Sequence, residues 1–530
     1  MESTARRGAW WLFVAAVLVA AYALFLQRHF FHDDAFITLR YVERWLAGKG
    51  LTWNDGERVE GFSSPAWLAQ IALLSLSGIG PPLAARILGL AYALAIVVLW
   101  YRAKVEPAGL LVMVTIPGFA LWTWGGLETQ SFCFWILFAL VLIRRMPFEL
   151  LSLGQVLLLA FAIAAMTLTR PEGIAVAAAC LGAAWPQRRQ RAFAIPAFFL
   201  AVVVASYEAF RITYFGDYIA TSVRAKALGL PIGERLENAA IYVGKTTPQW
   251  IAGVLLSLWL LLTSAKRKGI PWLLLPLFPL VLVVFVAGGD HMPGSRFMLA
   301  PVAVLCLAAS LAPPSPRRLI RRMTLGLAVA AALWQLTITS RNPTGPNPAA
   351  AVGEIVGRTL AATFTRGTLI ATATAGSVPY FAPSLSFIDT LGLNDRHIAS
   401  TRPAALSPSL LPPESVTDVP GHRRGDGAYV LSRRPDVVML GGANGDLRPW
   451  FVSDYQLLLD PKFRATYAPW RLLVVVPESS RPWVADELDA ASKKLPITLY
   501  VRRDSPAWAA LTASDATPLN PPWRTSTTGH

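Results

Sequence analysis

The stretch from His32 to Trp67 reads HDDAFITLRYVERWLAGKGLTWNDGERVEGFSSPAW. It follows an apolar run, Ala9 to Leu26, of about 18 residues, which is long enough to enter a bilayer. Two adjacent carboxylates, Asp33 and Asp34, therefore stand at a membrane boundary. An ionisable pair is costly to hold there unless it is paired or used, so its default reading is a functional site. The segment DDAFITLRYVERWL has apolar residues at helical spacing, which gives either carboxylate a competing task as a helix cap. The other would then be left for chemistry, and each shifts the pKa of its neighbour.

The composition around this stretch decides the class. The 530 residues are 54% hydrophobic and only 15% charged, and the mean hydropathy is +0.46. Such a chain is too apolar for an ordinary soluble protein and reads as a polytopic α-helical membrane protein. The formal net charge of +16 does not point to nucleic acid, because the basic residues cluster in short loops between apolar runs. Cys133, Cys180 and Cys306 all fall in apolar segments, so neither a disulfide framework nor a metal-ligand spacing is read. The first run follows Arg6 and Arg7 and lacks a small-residue cleavage site, which favours a retained anchor over a signal peptide.

Apolar runs recur at 9–27, 83–101, 108–124, 127–143, 150–169, 172–185, 192–208, 249–265, 270–288, 297–312 and 323–339. They predict about eleven spans. A further run, 66–79, is short and flanked by Pro65, Pro81 and Pro82. If it lies at the interface, Arg102/Lys104, Arg144/Arg145, Arg188/Arg189/Arg191, Lys266/Arg267/Lys268 and Arg317/Arg318/Arg321/Arg322 all face the cytoplasm with the N-terminus. If it spans, every later basic loop is forced outside. The first topology is adopted. It divides the chain into a transmembrane module, 1–340, with an outer loop at 28–65, and an extracytoplasmic tail, 341–530. The tail carries turn punctuation (NPTGPNP, LSPSLLPP) and strand-like runs TLIATATA, DVVMLGG, LLVVVP and ITLYVRR, which predict an α/β domain. The terminal TPLNPPWRTSTTGH reads as frayed.

Polar clusters collect on the outer side of this topology. The first loop offers Asp33, Asp34, Arg40, Glu57, Arg58 and Glu60. WGGLETQ offers Glu128, TRPEG offers Arg170 and Glu172, RITYFGDYIATSVRAK offers Arg211, Asp217, Arg224 and Lys226, and GGDHMPGSRF offers Asp290, His291 and Arg296. Gly-rich turns let the backbone approach a ligand while the charged groups hold it. Each cluster also has a bland reading. Arg211 and Arg224 are more simply snorkelling anchors. Asp217 and Glu172 serve as caps or loop ion pairs, and His32 and His291 as local hydrogen-bonders. Composition leaves transporter and enzyme level; charges gathered at one face and a large outer tail tip the reading towards an enzyme.

The first-loop motif resembles that of the C-type (GT-C) glycosyltransferases, whose acidic pair lies just past helix one. More narrowly, it is similar to the mycobacterial terminal β-(1→2) arabinofuranosyltransferase family and its bacterial relatives. The likeness extends to GGLET (Gly125–Thr129), TRPEG (Thr169–Gly173), YFGD with Lys226, GGDHMPGSRF (Gly288–Phe297), IDTLGLND (Ile388–Asp395) and GHRRGDGAYVLSRRPD (Gly421–Asp436). It departs at Tyr218–Thr221, where a Pro-Asn-Thr is usual, and at Ser63-Ser64. These departures bear on the acceptor and the sugar more than on the reaction class.

The resemblance implies transfer of a sugar, arabinofuranose in the closest reading, from a polyprenyl-phosphate donor in the bilayer to a cell-envelope glycan or glycoprotein. Asp33 is then the base, and Asp34 a second base or its positioning partner. Lys226 and Arg296 are implied contacts of the donor phosphate, with Arg58 third. Arg40, Glu57, Glu60, Glu128, Asp290 and His291 are implied to bind or position substrate. No cofactor is implied with certainty; a divalent cation on the acidic pair is left open, and no ligand residues are assigned to it. Trp450, Tyr455 and Trp470 are offered either as sugar-stacking surfaces or as core. Competing readings are transfer of another polyprenyl-linked sugar, mannose or aminoarabinose, onto protein or lipid A, and a lipid-linked sugar flippase.

Overall fold

The computed structural model describes residues 2–145, 151–187, 191–264, 269–341, 345–403 and 422–523. The chain forms two compact units, and they are not separated by one cut near residue 340. The first comprises Met1–Phe30, Ser64–Thr213 and Pro231–Gly345; the second comprises Phe31–Ser63, Tyr214–Leu230 and Pro346–His530. The acidic first loop and the Lys226 segment thus belong with the tail.

The first unit is helical. Among the described residues five helices are long and apolar enough to cross a membrane: Pro81–Ala103, Ala194–Phe215, Ile232–Thr263, Ile270–Ala287 and Arg318–Arg341. A sixth span results if Pro107–Thr115 and Pro117–Trp124 count as one. That pair is bent by 63°, at Ile116-Pro117, where proline cannot continue the hydrogen-bond ladder. Shorter apolar helices of 10–17 residues fill the other predicted runs. Two of them, Pro65–Ser75 and Gly173–Ala183, have 11 residues each. They rise only about 16 Å, half of a hydrocarbon core of about 30 Å. On length and composition five or six of the described helices qualify as spans; predicted runs such as 127–143, 150–169 and 297–312 also fold as single helices, of shorter length. The segment 209–248, predicted as an outer loop, is helical over much of its length. Ala194–Phe215 runs into it, and Ile232–Thr263 continues through Pro248. The predicted cytoplasmic basic groups at Arg188/Arg189 and Lys266–Lys268 lie outside the described residues, as does the side chain of Arg191.

The helices of this unit pack through small residues. Ala16 and Ala20 of the first helix are buried with Leu110 and Val114 in one core that also takes in Cys133, Cys180 and Cys306. Small side chains let helix backbones approach where no hydrophobic drive exists between lipid-facing segments. All three cysteines are free and buried.

The second unit is α/β. Its sheet holds β1 (Leu369–Thr372), β2 (Ser386–Asp389), β3 (Val437–Met439), β4 (Tyr467–Val474), β5 (Leu495–Arg502) and β6 (Thr517–Pro518), in the order β2-β1-β3-β5-β4-β6. The β2, β1 and β3 strands run parallel; β5, β4 and β6 are antiparallel neighbours. Four strands overlap the predicted runs, β4 only at Leu472–Val474. β2 was missed because its four residues, SFID, lie in no longer apolar run of the kind that surrounds β1 and β3. β6 lies in the stretch read as frayed, and Trp523 beside it stacks on Tyr500; residues 524–530 are outside the described residues.

The first loop is fastened to β2 by one side chain. Asn54 Nδ2 donates to the carbonyl of Phe387 at 2.7 Å, and its Oδ1 accepts from the Phe387 N–H at 3.1 Å. An amide side chain carries a donor group beside an acceptor, so it mimics a neighbouring strand and closes the sheet edge.

Candidate functional site

The acidic stretch folds as a helix, Asp33–Leu46, with His32 as its N-cap. His32 Nδ1 accepts from the backbone N–H of Asp34 at 3.2 Å. The histidine thus takes the capping task that the sequence left to a carboxylate, and both acids are spared for other partners.

Those partners come from distant parts of the same unit. Asp33 is buried, and its Oδ1 accepts from the Ser377 N–H at 2.9 Å and from the Ser377 hydroxyl at 2.5 Å. Burial raises its pKa to about 6, with the neighbouring Asp34 charge adding to the rise and the Ser377 hydrogen bonds opposing it. Asp34 is more accessible, and its Oδ2 lies 2.7 Å from Lys226 Nζ. Lys226 stands on a short helix, Thr221–Ala227. The Thr221 N–H donates to the Glu60 carbonyl at 2.9 Å. At the other end Arg424 donates to the carbonyls of Ala225 (3.1 Å), Arg224 (3.0 Å) and Leu228. Arg224 itself pairs with Asp217 at 2.6 Å. The lysine is therefore held from both ends of its helix.

Several of the residues predicted to contact ligand also fasten the loop. Arg40 is buried; its Nε donates to the Trp53 carbonyl at 2.8 Å and its Nη1 to Pro379 O. Glu57 accepts from Asn54 at 3.0 Å and from Arg433 at 3.1 Å. Glu60 is buried, and its backbone carbonyl carries the Lys226 helix. Arg58 lies over the ring of Tyr214, 4.8 Å from its centre. Tyr41 braces the loop further, donating to Val59 O at 2.7 Å and accepting from the Gly61 N–H at 3.0 Å.

The remaining predicted residues gather in the first unit. Arg170 joins Glu128 (2.7 Å) and Glu172 (2.5 Å). Burial alone would lower the affinity of Arg170 for its proton, but Glu172 and Glu128 outweigh it and hold the guanidinium charged. Arg296 pairs with Asp290 at 2.9 Å and lies 5.3 Å from the ring centre of Trp122. His291 Nδ1 is 3.9 Å from Asp290. Arg170 and Arg296 share the lining of one cavity with Thr129, Phe132, Leu280 and Phe297. Turns that looked separate, GGLET, TRPEG and GGDHMPGSRF, thus form one cluster. Of the aromatic candidates, Trp470 is core, edge-on to Trp508, whereas Trp450 is partly exposed and bonded to Asp446.

Ser377, Arg424 and Asp389 were not singled out from sequence. Arg424 and Asp389 fall within the GHRRGDG and IDTLGLND motifs, which were the available signal; Ser377 had none. Among the described residues no group of three or more His, Cys, Asp or Glu is placed to hold a metal ion. Asp34 meets Lys226, and Asp33 is taken by Ser377, so the acidic pair does not fit a cation site and no step is drawn through one.

What the geometry offers is a pair of carboxylates, one shielded and one ion-paired, beside an ammonium group. It can accept a proton and stabilise a departing anion within a few ångströms. Residues 347–486 match a family described only as a domain of unknown function, DUF8728. The chain is 29% identical over 361 residues to the terminal β-(1→2)-arabinofuranosyltransferase of Mycobacterium tuberculosis, covering 56% of this chain and 54% of that protein. It spans about half the length of that relative. The crystal structure of ArnT from Cupriavidus metallidurans in the apo state superposes with a TM-score of 0.52 at 13% identity, covering 94% of this chain and 98% of ArnT. A structure of the same protein bound to undecaprenyl phosphate gives 0.48 at 14% identity, over 72% and 86%. The apo likeness establishes the fold: a polytopic, GT-C-like helical protein with a C-terminal α/β domain.

Proposed function

We propose that this chain is a polyprenyl-phosphate-dependent glycosyltransferase of the inner membrane. It moves a sugar, arabinofuranose, to a cell-envelope acceptor on the outer face. The N-terminus is cytoplasmic, and the α/β tail is extracytoplasmic. The observation that carries the reading is the contact of Lys226 with Asp34, across 192 residues of sequence, at 2.7 Å. It puts a cation next to the carboxylate pair, as loss of a phosphate from a sugar requires. The name of the mycobacterial relative supports the sugar.

The reaction is a single displacement. The acceptor hydroxyl gives its proton to Asp33, and its oxygen bonds to the anomeric carbon. The bond from that carbon to the phosphate oxygen breaks, and the phosphate leaves with the electron pair. Lys226 meets the developing charge, with Arg58 as a weaker helper. Asp34 holds the ammonium in place before the donor arrives. Arg296 is assigned to the phosphate on sequence resemblance alone, with Asp290 orienting it. A carboxyl raised to about 6 is a stronger base than an ordinary aspartate while still ionised at neutral pH.

The test is transfer of label from polyprenyl-phosphoryl arabinofuranose to envelope glycans by detergent-solubilised protein, with Asp33→Asn and Asp34→Asn beside wild type. Transfer that disappears in Asp33→Asn supports the assignment. Consumption of polyprenyl-phosphoryl mannose or aminoarabinose instead would retain the reaction class and replace the sugar. Movement of donor across vesicles without a new glycosidic bond would replace the enzyme with a flippase.

A further inference from the structure

Ser377 sits at the start of a short helix, Ser377–Phe381, and is fully buried. Its hydroxyl has one proton and two acceptors in reach: Asp33 Oδ1 at 2.5 Å and the carbonyl of Ala349 at 3.0 Å. Two glycines make room for this arrangement. A Cβ on Gly376 would lie 2.2 Å from the Asp33 carbonyl oxygen and 2.5 Å from Asp33 Oδ2. A Cβ on Gly353 would lie 1.9 Å from the Ser377 hydroxyl oxygen. All three distances are far inside contact range, so neither position tolerates a side chain without displacing the pair.

We propose that Ser377 is a positioning residue for the base: its N–H and its hydroxyl both donate to Asp33 Oδ1, which fixes the carboxylate and leaves Oδ2 to take the acceptor's proton. This rests on the glycosyltransferase reading, with Asp33 as proton acceptor. With Asp33 ionised, the Ser377 O–H donates to Oδ1. When the acceptor's proton arrives on Oδ2, Oδ1 becomes the carbonyl oxygen of the carboxyl group and keeps both Ser377 donors. Asp33 gains one proton, and no hydrogen bond to Ser377 changes direction; those bonds are stronger to the ionised form. The base is thereby kept in one rotamer through the proton transfer, and no partner is left unsatisfied in a buried site.

The titratable groups near Asp33 are Asp34, paired with Lys226, and the capping His32. On the packed helices Glu354 pairs with Arg358, and Tyr380 donates to Glu43. None of these is altered by replacing Ser377. The experiment is infrared titration of the Asp33 carboxyl band in the solubilised full-length protein, isolated by subtracting Asp33→Asn. Ser377→Ala removes a hydrogen bond that favours the ionised form, so the midpoint should rise by about one pH unit. The acid limb of the transfer rate should move by the same amount. An unchanged midpoint with a folded protein would overturn the proposal. Should Ser377→Ala not fold, Ser377→Gly retains the backbone donor and reads the same midpoint. The infrared titration does not require turnover: absence of transfer in wild type would refute the functional reading, while the midpoint would still decide whether Ser377 and Asp33 are coupled.

Discussion

Asp33 and Asp34 are chemically identical neighbours that the fold makes unequal. One is shielded and bonded to Ser377, the other ion-paired with Lys226. The inequality has a kinetic signature. Burial holds the Asp33 carboxyl up at about 6, so a base must lose its proton through that range. Transfer should fall about tenfold per pH unit below pH 6 and level off above it, as a pH–rate profile would record. Lys226→Met removes the cation without removing the stem. It should cost a factor of about 10² to 10³ in kcat, the usual cost of losing a charge-stabilising donor. A loss confined to KM would instead make Lys226 a contact for binding only. The residue types of this site were legible in the sequence, because an acidic pair at a membrane boundary has few cheap explanations. Their division of labour was not. It depends on Ser377, whose neighbours GSV carry no periodic or charged signal.

At the scale of elements, the ends of the parallel strands are stabilised by buried carboxylates. Asp389, at the end of β2, accepts from four N–H groups: Leu391 (3.0 Å) and Gly392 (3.2 Å) through Oδ1, Asn394 N (2.7 Å) and Nδ2 (3.1 Å) through Oδ2. Asp454 accepts from Gly441, Trp450 and Phe451. Asp389→Asn turns a donor group against those donors. It should destabilise the protein by about 1–3 kcal/mol, seen as a lower thermal midpoint. Burial also holds both carboxyls up at about 6, above the ordinary 3.8. Between these values the folded state keeps protons that the unfolded chain has released. Their contribution to stability is therefore present below about pH 4 and lost as pH rises through 6. The thermal midpoint of the tail should decline across that window. Asp55, which Arg44 holds below its usual range, acts in the opposite sense, but it is exposed and counts for less. The strands β1, β3, β4 and β5 were readable because they lie in or overlap longer apolar runs; β2 and β6 were not, since SFID and TP stand in no such run.

For the whole molecule, the sequence conveyed the class but not the partition. Hydropathy reports where a chain is apolar, not how long its helices are: among the described residues five or six helices reach crossing length, and other predicted runs fold as helices of 10–17 residues. Nor does sequence order reveal that residues 31–63 and 214–230 fold with the tail. This partition makes a prediction about truncation. Removing residues 346–530 takes away Ser377, Arg424 and β2 together. It should abolish transfer to every acceptor, including a simple soluble one, instead of only weakening acceptor binding. Residual turnover on a minimal acceptor would confine the tail to acceptor capture. The clasp of Asn54 on Phe387 carries this further, into inheritance. A first loop taken from one homologue and a tail from another would meet at an amide and a strand edge that had never been matched, so chimaeras should work only when both segments travel from the same parent.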